Sequence, residues 1–246
     1  MSKLSVVLAT RNEEENIGIC LESVKTISDE IVVVDENSTD NTREIAKKYG
    51  AKVYSEPHHG IFHVTKQKAI NKATGDWVLQ LDADEVVTDE LAVEIKEVLE
   101  MRNDEILARR PKSAKKWELF RRHQKVVEDR DGKVGESTGE VAAFFIPRKN
   151  IFLGKALIHA GVYPDAVIRL IKKGRAYLPG KSVHEQMVVN GEVAWLFNDL
   201  EHHDSPSLNR YIARLNRYTD LKKDELQSSK TPKNIFYLFL YSFIWP

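Results

Sequence analysis

Two aspartates, Asp82 and Asp84, stand one residue apart directly after a short apolar run. The run has the length and composition of a buried strand, so the carboxylates are expected where the chain leaves a sheet. Two carboxylates this close repel each other unless a cation lies between them. Mg²⁺ and Mn²⁺ prefer carboxylate oxygens and accept a diphosphate as a further ligand. The spacing therefore indicates a metal site that holds a phosphate-bearing substrate, although solvated acids in a strand-end turn would give the same pattern.

The elements around this pair strengthen the first interpretation. The first hundred residues alternate between apolar strand patterns and helix patterns, which indicates a parallel sheet covered on both faces. Ligands of such sheets bind beyond the carboxyl ends of the strands. Four polar residues follow strands in this part of the chain, namely Arg11, Asp35, Asp82 and Asp84. Because these positions belong to three separate strands, the sheet is expected to bring them together.

Composition narrows the class of protein. The chain has 246 residues, of which 42% are hydrophobic and 30% charged, so a globular core is expected. The 37 basic residues equal the 37 acidic ones, which gives no reason to expect a nucleic-acid partner. Cys20 is the single cysteine, so no intramolecular disulfide can form. Residues 1 to 10 lack a signal-peptide pattern, and no apolar run is long enough to cross a bilayer. The expected location is the cytoplasm.

The pattern changes along the chain and suggests an organisation. Residues 1–204 are expected to form one domain, with strand patterns in the segments 1–101 and 141–204. The densely charged segment 102–140 fits an insertion or lid, or simply a solvated face. Residues 205–246 follow a basic amphipathic helical pattern and end in an aromatic run. That segment either packs on the domain or makes peripheral contact with the inner face of the cell membrane.

Three segments in succession resemble motifs of the family 2 glycosyltransferases: Ala9 to Glu14, Val33 to Thr42 and Leu81 to Glu85. The resemblance implies the family's A-type fold, a Rossmann-like α/β architecture with a mixed, mostly parallel sheet, here followed by a helical appendage. Within the family, the run from Trp77 to Glu85 resembles bacterial lipopolysaccharide core glucosyltransferases. The implied activity is metal-dependent, inverting transfer of a sugar from a nucleoside diphosphate, with UDP expected, to a hydroxyl of a cell-envelope glycan or glycolipid. The resemblance also implies that residues 1–204 are the catalytic domain, with the nucleotide-sugar-binding half at 1–101 and the acceptor-side half at 141–204.

The resemblance also implies roles for residues on the donor side. Asp35 stands where the family contacts the base, Lys66 at a basic position near the base or phosphates, and Asp82 near the ribose and sugar. Glu36 and Asn37 depart from the usual Asp and Gly of the motif, which leaves the base preference open. The full implied donor set is Thr10, Arg11, Glu13, Asp35, Lys66 and Asp82.

The metal and acceptor sides follow from the same resemblance. Asp84 is expected to bind Mg²⁺ or Mn²⁺, with His184 as a further contact to the metal or diphosphate. Asp165 is the implied general base, although Pro164 replaces the Glu that commonly precedes it in the family. Glu185 is the competing base, and the choice stays open, as do the donor sugar and the acceptor.

Two other classes of protein fit part of the pattern. Phosphatases with an aspartyl-phosphate intermediate also place Asp-x-Asp after an apolar strand, with the first Asp as nucleophile and the second as acid. Such an enzyme has no use for the two upstream motifs. A nucleotide-sugar-binding protein without activity would keep the fold and bind donor without turnover. Donor binding with and without Mn²⁺ separates these alternatives.

Overall fold

The structure is a computed structural model that describes residues 2–159, 161–180, 186–205, 207–209, 211–212, 215–216, 219–220 and 223. Contacts divide the chain into two compact units, Met1–Asp204 and Ser205–Pro246. The strands of the described residues are β1 (Leu4–Thr10), β2 (Glu30–Asp35), β3 (Lys52–Ser55), β4 (Trp77–Leu81), β5 (Glu85–Val87), β6 (Val141–Ile146), β7 (Arg148–Phe152), β8 (Lys155–Ala156), β9 (Val167–Lys172), β10 (Ala176–Tyr177), β11 (Val188–Val189), β12 (Glu192–Trp195) and β13 (Leu200–Ser205). The helices are α1 (Ile17–Val24), α2 (Thr42–Lys48), α3 (Phe62–Lys72), α4 (Asp89–Glu100), α5 (Asn103–Ala108) and α6 (Ala114–Asp131).

Seven strands form the central sheet in the spatial order β12-β6-β9-β4-β1-β2-β3. Strands β1 to β4 run parallel, and Thr10 at the end of β1 lies in register with Asp35 at the end of β2. Strand β9 is antiparallel to its neighbours β4 and β6, whereas β12 is parallel to β6. The predicted α/β fold with a mixed, mostly parallel sheet is confirmed.

The two faces of this sheet carry separate hydrophobic clusters. Because successive strand residues point to opposite faces, Val6 of β1 packs with Leu21 of α1 and Ile95 of α4. Its neighbour Val7 packs on the other face with Ile70 of α3 and Phe120 of α6. Coverage of both faces explains why these strands are mostly apolar on both sides.

The charged segment 102–140 forms helices α5 and α6. Helix α6 buries Phe120, whose ring stacks on Trp195 of β12 with ring centroids 4.5 Å apart. The α5–α6 connection is fastened by Arg109, whose guanidinium donates to the buried carboxylate of Glu94 in α4. The segment is thus attached to the sheet through apolar and ionic contacts, and its role as a lid stays a prediction.

A second sheet lies at the carboxyl end of β4, with strands in the order β5-β13-β7-β8. Strand β5 follows the two aspartates, and β13 pairs with it antiparallel so that His202 lies opposite Glu85. This small sheet brings residues from the last part of the first unit, about 120 positions away in sequence, to the carboxyl end of β4.

Glu30 stabilises the opposite, amino-terminal end of the sheet. Its carboxylate accepts hydrogen bonds from Ser5 Oγ at 2.6 Å, Lys52 Nζ at 2.8 Å and the Thr74 amide at 2.8 Å. Burial alone would raise the pKa of Glu30, but these donors outweigh it and lower the pKa from 4.5 to about 2.

Replacing Glu30 with Gln is therefore expected to destabilise the protein in a pH-dependent way. A lowered pKa contributes free energy of unfolding that is present above the unfolded-state value near 4.5 and is lost as pH falls toward about 2. The loss in Glu30→Gln should reach about 3 kcal/mol at neutral pH and shrink at acidic pH. Urea unfolding across this range measures it, with the exposed pair residue Glu22→Gln as control. A loss of equal size at pH 2.5 and pH 7 would contradict the assignment.

Candidate active site

The loops that follow β1 and β2 are joined by hydrogen bonds. The Asn12 amide donates to Ser38 Oγ at 2.8 Å, and Asn12 Oδ1 accepts from the Thr39 amide at 2.9 Å. The Glu13 amide donates to Thr42 Oγ1 at 2.8 Å. The backbone of Asn12 is left-handed, with φ 55°, a conformation that Asn tolerates better than most residues. The first two sequence motifs therefore form one connected surface.

Asp35 lies at the base of this surface and is fully buried. Its carboxylate accepts hydrogen bonds from Thr10 Oγ1 at 3.0 Å, Ser38 Oγ at 2.5 Å and the Ser38 amide at 2.8 Å. Asp35 thus fixes the β2–α2 loop through contacts within the protein. Contact between Asp35 and a base stays a prediction, as do the donor roles of Thr10 and Glu13. Arg11, beside them, is exposed.

Asp82 is held between two cations. Lys66 Nζ of α3 lies 2.5 Å from one carboxylate oxygen, and Arg169 Nη2 of β9 lies 2.5 Å from the other. Burial alone would raise the pKa of Asp82, but Arg169 and Lys66 outweigh it and hold the pKa well below its usual range. The sequence interpretation expected a bound cation to relieve repulsion between Asp82 and Asp84. The structure shows instead that protein cations already neutralise Asp82.

Arg169 is the centre of a buried polar network. Its guanidinium donates to Gln80 Oε1 at 2.5 Å and to Glu85 Oε1 at 2.7 Å, in addition to Asp82. Glu85 also lies 3.5 Å from Arg148, and its second oxygen accepts from the Asp82 amide at 2.9 Å. Arg169, Glu85 and Gln80 are all buried, so each charge in this network depends on its partners.

Asp165 sits at the edge of that network. Its Oδ2 accepts from Arg148 Nη2 at 2.7 Å, Arg148 Nε at 3.1 Å and Asn150 Nδ2 at 2.8 Å. Its Oδ1 accepts no hydrogen bond from the described part of the chain. The side chain is 38% exposed and its backbone is left-handed, with φ 37°. One carboxylate oxygen is therefore anchored while the other faces outward, as a group that takes a proton from a substrate requires.

Asp84 faces a histidine that the sequence interpretation did not include. His202 Nε2 lies 3.6 Å from Asp84 Oδ2, and His202 Nδ1 lies 2.6 Å from Asn150 Oδ1. Because the Asn150 amide nitrogen donates to Asp165, its oxygen must accept, so His202 Nδ1 carries a hydrogen. In the neutral ring Nε2 then presents its lone pair toward the Asp84 carboxylate. A lone pair and a carboxylate that face each other favour a cation between them.

The residues present fit a divalent metal held partly by substrate. Asp84 supplies a carboxylate oxygen, and His202 Nε2, which lies 3.6 Å from it, supplies a ring nitrogen. Among the described residues, no group of three or more His, Cys, Asp or Glu side chains could hold a metal alone. Mg²⁺ and Mn²⁺ commonly bind through one or two side chains with substrate phosphates completing the shell. The two donors therefore suit a metal that arrives with a diphosphate.

Two predicted site residues, His184 and Glu185, lie outside the described residues, and their roles stay predictions. The structure adds Arg148, Asn150, Arg169 and His202 to the site. A signal was available for Arg169, because an arginine in the centre of an otherwise apolar strand needs a buried partner. For His202, the only signal was a pair of histidines in a strand pattern.

The structure also shows where other features lie. A cavity of about 510 Å³ opens at the amino-terminal ends of the strands, beside Ser5, Glu30 and Gly75, and none of the predicted site residues that the structure describes lines it. Within the described ranges, no helix combines the length and the apolar composition that crossing a bilayer requires.

Comparison with known proteins gives a consistent set of relatives. Residues 5–161, more than half of the chain, match the family described as Glycosyl transferase family 2. An uncharacterized glycosyltransferase of Rickettsia typhi is 43% identical over 105 residues, which cover 43% of this chain and 36% of the relative. The lipopolysaccharide core biosynthesis glycosyltransferase LpsC of Rhizobium meliloti is 26% identical over 97% of this chain and 77% of its own length. The match to the rickettsial protein thus spans only about a third of that relative.

Solved structures give weaker likenesses. Glucosyl-3-phosphoglycerate synthase from Mycobacterium tuberculosis, in complex with Mn²⁺ and UDP-glucose, is 27% identical over 42% of this chain and 41% of that chain, with a TM-score of 0.36. S. aureus TarS is 19% identical over 82% of this chain and 60% of that chain, with a TM-score of 0.46. These scores are too low to transfer a binding site to this chain.

Proposed function

Because the chain belongs to glycosyl transferase family 2, we propose that it transfers a sugar from a nucleoside-diphosphate sugar to a hydroxyl of a cell-envelope glycan or glycolipid. The observation that carries the proposal is the path Asp84–His202–Asn150–Asp165, which links a metal-binding pair to a half-free carboxylate. The proposed donor is a UDP-sugar, as the three motifs imply. The similarity to LpsC, which covers 97% of this chain and 77% of that protein, supports an acceptor in the lipopolysaccharide core.

On the donor side, Asp84 and His202 would hold the Mg²⁺ or Mn²⁺. A divalent cation there would neutralise charge that develops on the leaving diphosphate. Lys66 and Arg169 hold Asp82 ionised and fixed in position at the end of β4. Since this arrangement is present before substrate binds, little reorganisation is needed during the reaction.

On the acceptor side, Asp165 would remove the proton from the attacking hydroxyl. Arg148 and Asn150 anchor Oδ2 and so orient Oδ1 for that proton. A single displacement on the face of the sugar opposite the diphosphate would invert the anomeric centre. Asn150 contacts both Asp165 and His202, so one amide orients the base and the metal ligand together.

The geometry disfavours the phosphatase alternative. A nucleophilic aspartate needs a free carboxylate oxygen, but the oxygens of Asp82 are ion-paired to Lys66 and Arg169 respectively. The other alternative, a nucleotide-sugar-binding protein without activity, makes a different prediction. Such a protein would bind the donor without releasing nucleoside diphosphate.

Asp165→Asn tests the proposal directly. The variant should bind UDP-sugar like the wild type but lose about 10²- to 10⁴-fold in transfer, because the amide cannot take the proton. Calorimetry measures donor binding, and release of UDP from UDP-glucose with core-deficient lipopolysaccharide measures turnover. Asp199→Asn is the matched control, since Asp199 is a nearby carboxylate paired to Tyr163 and Lys149. Normal transfer by Asp165→Asn together with loss in Glu185→Gln would assign the base to Glu185 instead.

A further inference from the structure

The hairpin β7–β8 presents apolar side chains to solvent beside the candidate base. Leu153, Leu157 and Ile158 are exposed by 49%, 40% and 52%. They belong to the continuous exposed stretch 153–159. Scattered exposed apolar residues are ordinary, but three within positions 153–158, here called the apolar tip, are a local cluster that includes the turn of the hairpin and the residues after β8.

The backbone conformation at the turn of the hairpin is unfavourable for Leu153. Phe152 pairs with Lys155, so Leu153 and Gly154 form a two-residue turn, and both have positive φ, at 48° and 75°. This turn type favours Asn-Gly, because Asn adopts the left-handed conformation more readily than Leu. Leu153 therefore gives up conformational stability and gains no burial within the described protein. Such a residue is expected where contact with something outside the protein offsets the strain.

The charge around the tip identifies the kind of surface it fits. Residues 141–164 contain no Asp or Glu, although the chain has 37 acidic residues. Lys155 lies between the apolar residues of the hairpin and is exposed. Protein interfaces are depleted in lysine at their centre, whereas lipid surfaces accept apolar side chains with lysines that extend toward the headgroups. The pattern thus favours an anionic lipid surface over a second protein.

A groove with more basic than acidic side chains includes a residue that follows the hairpin. The groove, of about 420 Å³, is lined by Lys115, Lys116, Glu118 and Arg122 of α6 together with Tyr163. Tyr163 follows the turn that leaves the hairpin, where the Val162 amide donates to the His159 carbonyl at 3.2 Å. Basic side chains near an apolar tip add attraction to anionic headgroups.

We infer that the β7–β8 hairpin docks the enzyme on an anionic lipid surface, with Leu153, Leu157 and Ile158 inserted among the headgroups. The hairpin is coupled to the site, because Asn150 of β7 accepts from the Leu157 amide at 2.9 Å and donates to Asp165. Docking would therefore place the base at the membrane, where a lipid-linked acceptor presents its hydroxyl. The contact does not depend on the sugar donor, so it can fail without the proposed function failing.

Leu153→Asn in the full chain tests the inference. The protein is floated with phosphatidylcholine vesicles that contain phosphatidylglycerol, and with phosphatidylcholine vesicles alone. Wild type should bind the anionic vesicles. Leu153→Asn should bind them more weakly, by a factor of about ten or more, because it lacks the leucine side chain that inserts among the headgroups. Asn suits the turn, so the unfolding temperature should stay equal or rise. Ile19→Asn, which removes an apolar residue exposed on α1, should bind like the wild type.

Three results would overturn the inference. Wild type could fail to bind anionic vesicles, or Leu153→Asn could bind them as tightly as wild type. A change from dimer to monomer in Leu153→Asn, seen by sedimentation without vesicles, would instead assign the tip to a second copy of the chain. Binding of UDP-glucose, measured on the same samples, reports separately on the proposed function.

Discussion

Asp84→Ala is expected to lower the rate of UDP release from a UDP-sugar on the order of 10³-fold at saturating Mn²⁺. In the proposed site the carboxylate is one of two protein donors for the metal, and charge stabilisation by such a metal would amount to several kcal/mol in the transition state. The fold should persist, since the side chain of Asp84 is 20% exposed and, within the described part of the chain, pairs with His202. Initial rates over a Mn²⁺ titration, with a coupled assay for UDP, measure the effect.

Asp89→Ala provides the control for this experiment. Asp89 is an exposed carboxylate in the first turn of α4, five residues along the chain from Asp84. Its loss should leave the rate and the Mn²⁺ dependence unchanged. An Asp84→Ala enzyme that keeps wild-type rate and wild-type Mn²⁺ dependence would remove this residue from the metal site.

Arg169→Met is expected to destabilise the protein by about 3 to 5 kcal/mol. Met matches the length of the aliphatic stem but leaves Asp82 and Glu85 without their shared guanidinium. Asp82 retains Lys66 and Glu85 retains Arg148 at 3.5 Å, so the lower end of the range is expected. Urea unfolding followed by circular dichroism gives the difference in free energy.

Two further variants make the Arg169 result specific. Arg130→Met removes an exposed guanidinium paired to Asp131 and should change stability little. Adding Glu85→Gln to Arg169→Met should recover part of the loss, because one uncompensated buried charge is then removed. A loss below about 1 kcal/mol for Arg169→Met would show that the network contributes little to folding.

The fold of the first hundred residues could be predicted from the sequence because its signals are local. Apolar runs separated by helix patterns indicate β1 to β4 and their parallel order, and the strand ends then locate Asp35, Asp82 and Asp84. These local sequence patterns could not predict that cationic side chains of the protein neutralise Asp82. Its ion-pair partner Arg169 is 87 residues away in sequence. The antiparallel pairing of β9 with β4 brings Arg169 to Asp82, and neither segment has a sequence pattern that predicts this pairing.

The contact between Asp84 and His202, the proposed metal ligands, could likewise not be predicted from local sequence patterns. His202 reaches Asp84 only because β13 pairs with β5 across 117 positions, and a shift of one residue would present Glu201 or His203 instead. The interpretation from sequence placed the metal contact at His184, within a motif of the right type. Asn150 had no distinguishing signal, since its importance comes from two contacts, to Asp165 and His202, that exist only in the folded chain.

The most direct test of the central claim is a calorimetric titration of UDP into the protein with Mn²⁺ and with EDTA. The variants are His202→Ala and its neighbour His203→Ala, whose side chain is 44% exposed and pairs with Glu201. Wild type and His203→Ala should bind UDP much more tightly with Mn²⁺, and His202→Ala should lose that difference. Equal binding of UDP by wild type in Mn²⁺ and in EDTA, or an undiminished Mn²⁺ effect in His202→Ala, would contradict a metal held by Asp84 and His202.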